Sequence, residues 1–340
     1  MNPGARAIGL ADAWRRRWLR ALGRPGRVLV RDRELRVAAL FSAVVVTALI
    51  GTLVAPLWLL ILGPLVWGVP HIAADIRYLV VRTGFARRTM LWVFGGVPLL
   101  ALSLGADLSW GFVGAAAVAL AARAPWRHRL GVAALVLACG LGLAQLGPVG
   151  DVVFGHVHNV AAVSFWWLWR PRRGRAHWLP LVLLVAATAL LGSEWGLQIV
   201  GARFEWHALG DSPDRQLWRL APGLAPMIGM RLVLAFCFMQ AVHYAIWMQM
   251  IPDEARARAT VMTFRASLRD LERDMGRIGL YVIAGLTAGL IAWASWDMLA
   301  ADRGYFRVAR FHGHLELMAG VLLVLERRRG STHASKWQLR

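Results

Sequence analysis

Long apolar stretches recur along almost the whole chain, separated by clusters of arginine or by glycine and proline turns. Most are close to the ~20 residues that a helix needs to cross about 30 Å of hydrocarbon. We therefore predict an all-α fold, a polytopic transmembrane helical bundle of about ten spans, with eight as the lower limit because the third and fourth stretches are short. The stretches are 37–54, 56–82, 89–105, 108–122, 129–147, 151–169, 178–199, 223–250, 278–299 and 305–326.

The composition excludes an ordinary soluble globule. Hydrophobic residues make up 58% of the chain and charged residues only 17%, whereas a soluble domain is about half apolar and a quarter charged. The formal net charge of +20 would otherwise suggest a nucleic-acid partner. The distribution of the positive charge argues against that partner, because the basic residues lie in the connections between alternate stretches.

The arginines also predict the orientation in the membrane. If the N-terminus is cytoplasmic, most of the 39 lysine and arginine residues fall in cytoplasmic segments or at the adjoining span ends. Loops retained in the cytoplasm carry such an excess, so we expect both termini to be cytoplasmic. The sequence thus predicts an integral protein of a bacterial inner (plasma) membrane, with the lipid bilayer as its surroundings.

Three regions follow from this topology. Residues 1–35 form a basic cytoplasmic segment, either an interfacial amphipathic helix or a solvated tail. Residues 36–326 form the transmembrane domain, and 327–340 form a second basic tail. An outer connection over 200–222 can cap an opening on that side. An inner connection over 252–277 predicts an amphipathic helix on the membrane surface, from the spacing of Val261, Phe264, Leu268 and Leu271.

Six of the ten histidines lie on even-numbered stretches, which all cross the membrane in one direction. Each precedes the next basic boundary by 11 to 15 residues, which is roughly 17 to 23 Å at about 1.5 Å per helical residue. Ionisable groups are costly inside a bilayer and usually mark a functional site. The shared depth predicts one layer of metal ligands, formed by His71, His156, His158, His243, His312 and His314.

Two carboxylates join this layer. Asp75 follows His71 by four residues, and Glu316 follows His312 by four, so each acid shares a helix face with its histidine. A carboxylate there can ligate a metal directly or accept the imidazole N–H and fix its tautomer. Asp75 and Glu316 are therefore the candidate catalytic residues.

The tandem histidines cannot all face one point on a regular helix. His156 and His158 are two residues apart, as are His312 and His314, and such residues diverge by about 200°. We expect one member of each pair to face the site, unless the helix breaks at the neighbouring glycine.

Several functions fit such a layer. A lone histidine in a membrane often only hydrogen-bonds a neighbouring helix, and four helices with facing imidazoles also describe a bis-histidine haem protein of electron transfer. A proton or metal transporter with a histidine relay is a further alternative. Imidazole suits iron, copper and zinc. Among these we expect non-haem iron, with haem, copper and zinc as alternatives.

The segment Gly68–Asp75, GVPHIAAD, resembles the G-x-P-H-G-A-x-D motif of the Brp/Blh family, bacterial membrane oxygenases that cleave beta-carotene to retinal with a histidine-ligated iron. The resemblance implies that His71 is an iron ligand and that dioxygen is a co-substrate. Ile72 replaces a glycine of the family, and Trp247 stands where a second histidine would follow His243. We therefore expect an oxygenase or oxidative-cleavage enzyme for a carotenoid- or lipid-like substrate other than beta-carotene.

Overall fold

The computed structural model describes residues 3–172, 174–201 and 211–327. Throughout these ranges the chain is helical apart from short connections, and they contain no β-strand, so the all-α prediction is confirmed. Six described helices are long and apolar enough to cross a membrane. A seventh candidate arises if one pair of helices, bent by 77°, counts as a single span. Residues 202–210 of the predicted outer connection and 328–340 of the predicted C-terminal tail lie outside the described residues.

Seventeen α-helices follow one another along the described chain. They are α1 Pro3–Ala21, α2 Gly23–Arg31, α3 Arg33–Val54, α4 Pro56–Asp75, α5 Thr89–Leu91, α6 Val97–Ser103, α7 Ser109–Leu120, α8 Trp126–Gln145, α9 Pro148–Trp169, α10 Trp178–Gly192, α11 Glu194–Val200, α12 Pro213–Leu220, α13 Pro226–Ala245, α14 Ile251–Glu254, α15 Phe264–Trp296, α16 Met298–Ala309 and α17 Phe311–Arg327. Three π-helical segments join some of them: Ile76–Val81, Trp92–Gly96 and Ile246–Met250.

Each of the ten predicted apolar stretches contains helix, but the six candidate spans do not include all of them. The third and fourth stretches form short apolar helices, Thr89–Ser103 and Ser109–Leu120. The sixth stretch forms α9, which carries Asp151, two histidines and Asn159 among its apolar residues. Because of these polar groups, α9 is not apolar enough to count among the six candidate spans.

The inner connection differs from the predicted amphipathic helix. α14 ends at Glu254, and α15 begins only at Phe264, where the Thr263 hydroxyl accepts a hydrogen bond from the Ala266 amide at 3.1 Å. Within α15, Gly276 has a φ of 71°, a conformation that favours glycine. It separates an amphipathic first part from the apolar span that follows.

Arginines hold the loop between α14 and α15 against the bundle. The Arg36 guanidinium donates to both oxygens of Asp253, at 2.7 and 3.0 Å, and to the carbonyl oxygen of Ala259 at 2.7 Å. Arg170 donates to the carbonyl oxygen of Glu254 at 2.7 Å. Charged hydrogen bonds of this kind fix geometry strongly when they are buried. The basic residues at this end of the helices therefore also hold the connecting loop in place.

The core lies between α3, α4, α9, α10 and α13. Its largest completely buried side chains include Phe41, Trp166, Phe238 and Trp247. α13 is the most buried of the six candidate spans, and α15 is the least buried. α13 thus runs through the interior of the bundle, and the polar residues on it face other helices instead of the outer surface.

Candidate metal centre

Four helices each bring one histidine to a common region inside the bundle. These residues are His71 on α4, His158 on α9, His243 on α13 and His312 on α17. Five of the six distances between their ring centroids lie between 4.5 and 6.2 Å. His71 and His243 are almost completely buried. The structure therefore brings together one histidine from each of the four helices that the sequence analysis singled out.

Backbone carbonyls fix the tautomers of two of these rings. His71 Nδ1 lies 3.1 Å from the carbonyl oxygen of Trp67, and His312 Nδ1 lies 2.5 Å from that of Ala309. A carbonyl oxygen only accepts, so Nδ1 carries the proton in both rings and Nε2 presents a lone pair. Metal-binding histidines are commonly oriented in this way.

The Nε2 lone pair of His312 faces His158. The Nε2 atoms of the two residues are 2.9 Å apart. Two nitrogens that ligate one metal at ~2.1 Å and at right angles lie about 3 Å apart. The observed spacing therefore suits two neighbouring ligands of one ion, and it equally suits a direct N–H···N hydrogen bond.

Glu316 lies beside two of the imidazoles. Its Oε2 is 3.4 Å from His158 Nδ1, and its Oε1 is 3.6 Å from His243 Nε2. Two groups of three residues have ligand atoms within 4.8 Å of one another: His71, His243 and His312, and His158, His243 and Glu316. Glu316 can therefore orient the imidazoles through its carboxylate or provide a ligand itself. His243 belongs to both groups.

Charge balance favours a cation at this position. Asp75 and Glu316 are almost completely buried, and neither forms an ion pair with a lysine or arginine within the described chain. Both oxygens of Asp75 have no hydrogen-bond partner there. Burying an uncompensated carboxylate is very costly. A divalent cation among the four imidazoles would compensate both charges, so the residues present fit a metal ion.

His156 and His314, also named from the sequence as ligands, lie outside the two ligand groups. The ring of His156 lies 5.1 Å from that of Phe236. The ring of His314 stacks on Phe154 at 4.2 Å. α9 and α17 stay regularly helical at Gly155 and Gly313, so residues two apart diverge as expected. Neither histidine joins the two ligand groups.

Two buried tyrosines beside the centre were not identified from the sequence as site residues. The Tyr244 ring lies 4.4 Å from the His71 ring, tilted by 43°. The Tyr305 ring lies against Gly68, where an added Cβ would be 2.4 Å from Cζ. Tyrosine is common in such apolar stretches, so neither residue was distinctive in the sequence. The contact with Tyr305 explains why a larger side chain at position 68 would clash.

An apolar cavity of about 300 Å³ adjoins the same part of α17. Phe311 and Leu315, which line it, directly precede His312 and Glu316 along the helix. Among the described residues that line the cavity, Ser103 carries the only hydroxyl group. Its other walls are Ile76, Leu79, Val80, Phe85, Leu91, Trp92, Gly95, Gly96, Leu99, Leu100, Val118, Met318, Ala319 and Leu322.

The chain matches no protein-family model, no curated protein and no solved structure. The resemblance to the Brp/Blh family therefore rests on the residues of segment 68–75 and stays a prediction.

Proposed function

We propose that this chain is a membrane metalloenzyme that binds one non-haem iron ion and uses dioxygen to oxidise or cleave a lipophilic substrate. The observation that carries the proposal is the clustering of four imidazoles from four helices, which form two overlapping three-residue ligand groups, beside two buried carboxylates. Such a cluster is costly to bury, and the bound ion offsets that cost. Open coordination positions on the iron supply the capacity to bind and activate dioxygen.

The protein's own residues position the ion. The carbonyl oxygens of Trp67 and Ala309 hold His71 and His312 with Nε2 toward the centre. Glu316 Oε2 lies 3.4 Å from His158 Nδ1, so the carboxylate can orient that ring and leave its Nε2 for the ion. Partners of this kind raise the basicity of the ligand and keep its ring in place.

Asp75 contributes charge instead of a ligand in this proposal. It lies one helical turn beyond His71 and has no hydrogen-bond partner in the described chain. Its carboxylate balances part of the charge of the ion in a medium that screens charge poorly. The two buried carboxylates therefore favour a centre that binds a divalent cation over one that binds no ion.

The substrate class follows from the apolar cavity beside α17. Its lining offers almost no hydrogen-bonding group, so an apolar chain gains from burial there and a polar molecule loses its hydration. We propose a carotenoid- or lipid-like substrate that enters sideways from the bilayer. Phe311 and Leu315, which line the cavity, are the sequence neighbours of His312 and Glu316 on α17.

The proposed topology has ten spans with both termini in the cytoplasm of a bacterial cell, in the inner membrane. Support comes from the ion pairs at the basic end of the bundle, where Arg77 and Arg82 both donate to Asp274 at 2.6 and 2.7 Å. Arg36 and Arg170 lie in the same region, against the loop after α14. An excess of basic residues at one end is the pattern of a cytoplasmic face.

Haem fits this centre poorly. Two axial histidines on a haem iron have nitrogens about 4 Å apart, with the porphyrin plane between them, given a metal–nitrogen distance of ~2 Å. Here the Nε2 atoms of His158 and His312 are 2.9 Å apart. The ring of His243 lies within 4.5 Å of that of His158, which fills the space a porphyrin needs.

Spectroscopy with a turnover assay tests the proposal. We expect purified protein to contain about one iron per chain, to lack a Soret band, and to consume dioxygen when given a carotenoid or unsaturated lipid. A Soret band, or preparations that bind no metal under any loading condition, would overturn it.

A further inference from the structure

The N-terminal helix α1 has three distinct faces. At about 100° per residue, one face consists of Ile8, Asp12, Arg15 and Leu19, which are all less exposed than the rest of the helix. Asp12 is only 5% exposed, although its helix lies at the surface of the bundle. This face is the one that contacts the protein.

Asp12 and Arg15 fasten α1 to the beginning of α15. The Asp12 carboxylate accepts hydrogen bonds from the amides of Phe264, at 2.6 Å, and of Arg265, at 3.4 Å. Arg15 donates to the carbonyl oxygen of Met262, and its guanidinium carbon lies 4.6 Å from the Phe264 ring centre. α1 is therefore held at the basic end of the bundle, where the loop after α14 meets α15.

The second face of α1 is apolar and exposed. Leu10, Trp14 and Trp18 are 67%, 66% and 57% exposed. The two indole rings contact each other edge to face, with centroids 5.7 Å apart. Ala7 lies in the middle of this arc and is also exposed. Within the described residues, no other element covers these side chains.

The third face is basic and lies directly beside the apolar one. It carries Arg6, Arg16, Arg17 and Arg20, all exposed. Asp12 is the only acidic residue of α1, and it points inward. The exposed part of α1 therefore presents tryptophan and arginine side by side, with no acidic group among them.

We propose that α1 binds the headgroup layer of anionic phospholipids at the basic side of the membrane. Indole rings favour the membrane–water interface, and guanidinium groups pair with phosphate through two parallel hydrogen bonds. A helix with both features side by side lies in the plane of an anionic surface. This lipid contact goes beyond the proposed enzyme activity, because none of its residues belongs to the metal centre.

Spin labels on two faces of α1 test the proposal. We would introduce Ala7→Cys on the apolar face and Ala13→Cys on the basic face in a Cys139→Ser background, since Cys237 is buried. Each labelled full-length protein is placed in nanodiscs of phosphatidylglycerol or of phosphatidylcholine. Collisions with dioxygen, which partitions into lipid, are compared with collisions with a water-soluble nickel chelate.

In phosphatidylglycerol we expect the label at position 7 to favour dioxygen over the chelate several-fold more than the label at position 13. We expect the difference between the two labels to be smaller in phosphatidylcholine. It should also be smaller in phosphatidylglycerol when Arg16, Arg17 and Arg20 are changed together to Gln. Equal exposure of both labels to the chelate would show a solvated tail, and shielding of position 7 from both reagents would show a protein contact. Either result overturns the proposal. Iron content should be unchanged in every variant, which separates this test from that of the metal centre.

Discussion

His312 and His314 are separated by one residue on α17, yet they occupy different surroundings. The His312 ring lies 5.0 Å from that of His71, inside the metal centre, whereas the His314 ring stacks on Phe154 at 4.2 Å. Gly111 packs so closely on His314 that an added Cβ would lie 2.0 Å from its Cδ2 atom. One histidine of the pair therefore faces the candidate metal centre, and the other packs between helices.

This difference makes the two residues a matched pair for mutagenesis. We expect His312→Ala to lower the metal content of purified protein strongly. His314→Ala should retain the metal but lose about 2 kcal/mol or more of stability, because it leaves a cavity between aromatic rings. Elemental analysis and thermal unfolding in detergent measure the two effects. Equal metal loss in both variants would contradict the assignment.

Glu316 should tune metal affinity. The substitution Glu316→Gln keeps the shape of the side chain but removes the charge beside His158 and His243. Loss of such a partner typically weakens metal binding by about 10- to 100-fold, which competition with a chromophoric chelator would measure. An affinity equal to that of the wild type would show that Glu316 neither orients a ligand nor balances the ion.

The apolar cavity should control turnover and leave metal binding unchanged. Leu99→Trp places a larger side chain into the cavity, so an apolar substrate loses space beside α17. The matched control is Leu135→Trp on α8, where the native side chain is 63% exposed and lies outside the cavity. We expect product formation to fall in the first variant alone, with equal iron content in both. Unchanged turnover in Leu99→Trp would remove the cavity from the proposal.

The ion pair between Arg36 and Asp253 should contribute strongly to stability. Its two side chains are 7% and 9% exposed, so Arg36→Ala removes buried charged hydrogen bonds to Asp253 and Ala259 and should cost about 2 kcal/mol or more. Asp253 keeps its ion pair with Arg256, so its charge stays compensated. The control is Arg273→Ala, whose pair with Asp270 exposes 73% of the arginine side chain and should cost less than about 1 kcal/mol. Thermal unfolding of both variants in the same detergent measures the two losses of stability. Equal shifts of the unfolding temperature would contradict the expectation.

The meeting of one histidine from each of four helices could be predicted from residue counts, because a helix has a constant rise and the arginines mark one end of each helix. The divergence of His156 from His158 was also predictable on the same basis. Which of the two faces inward was not, since it depends on the rotation of α9. In a membrane protein, lipid-facing and core-facing residues are both apolar, so the hydrophobic pattern does not report that rotation.

Other features depend on packing that leaves no local signal. The loop before α15 is held by contacts with residues distant in sequence, among them Asp12 and Arg36. The cavity beside α17 forms where the Thr89–Ser103 segment, short and partly π-helical, fails to fill the space against its neighbours. Sequence patterns identified the short helix, but the gap appears only when all the helices are assembled.

Iron K-edge X-ray absorption counts the imidazoles that hold the proposed iron ion. For wild-type protein loaded with one iron per chain, we predict imidazole scattering equivalent to about four rings at ~2.1 Å. We predict the same count for His156→Ala and about one ring fewer for His158→Ala. A spectrum without imidazole scattering, or one that changes in His156→Ala and not in His158→Ala, would contradict the account.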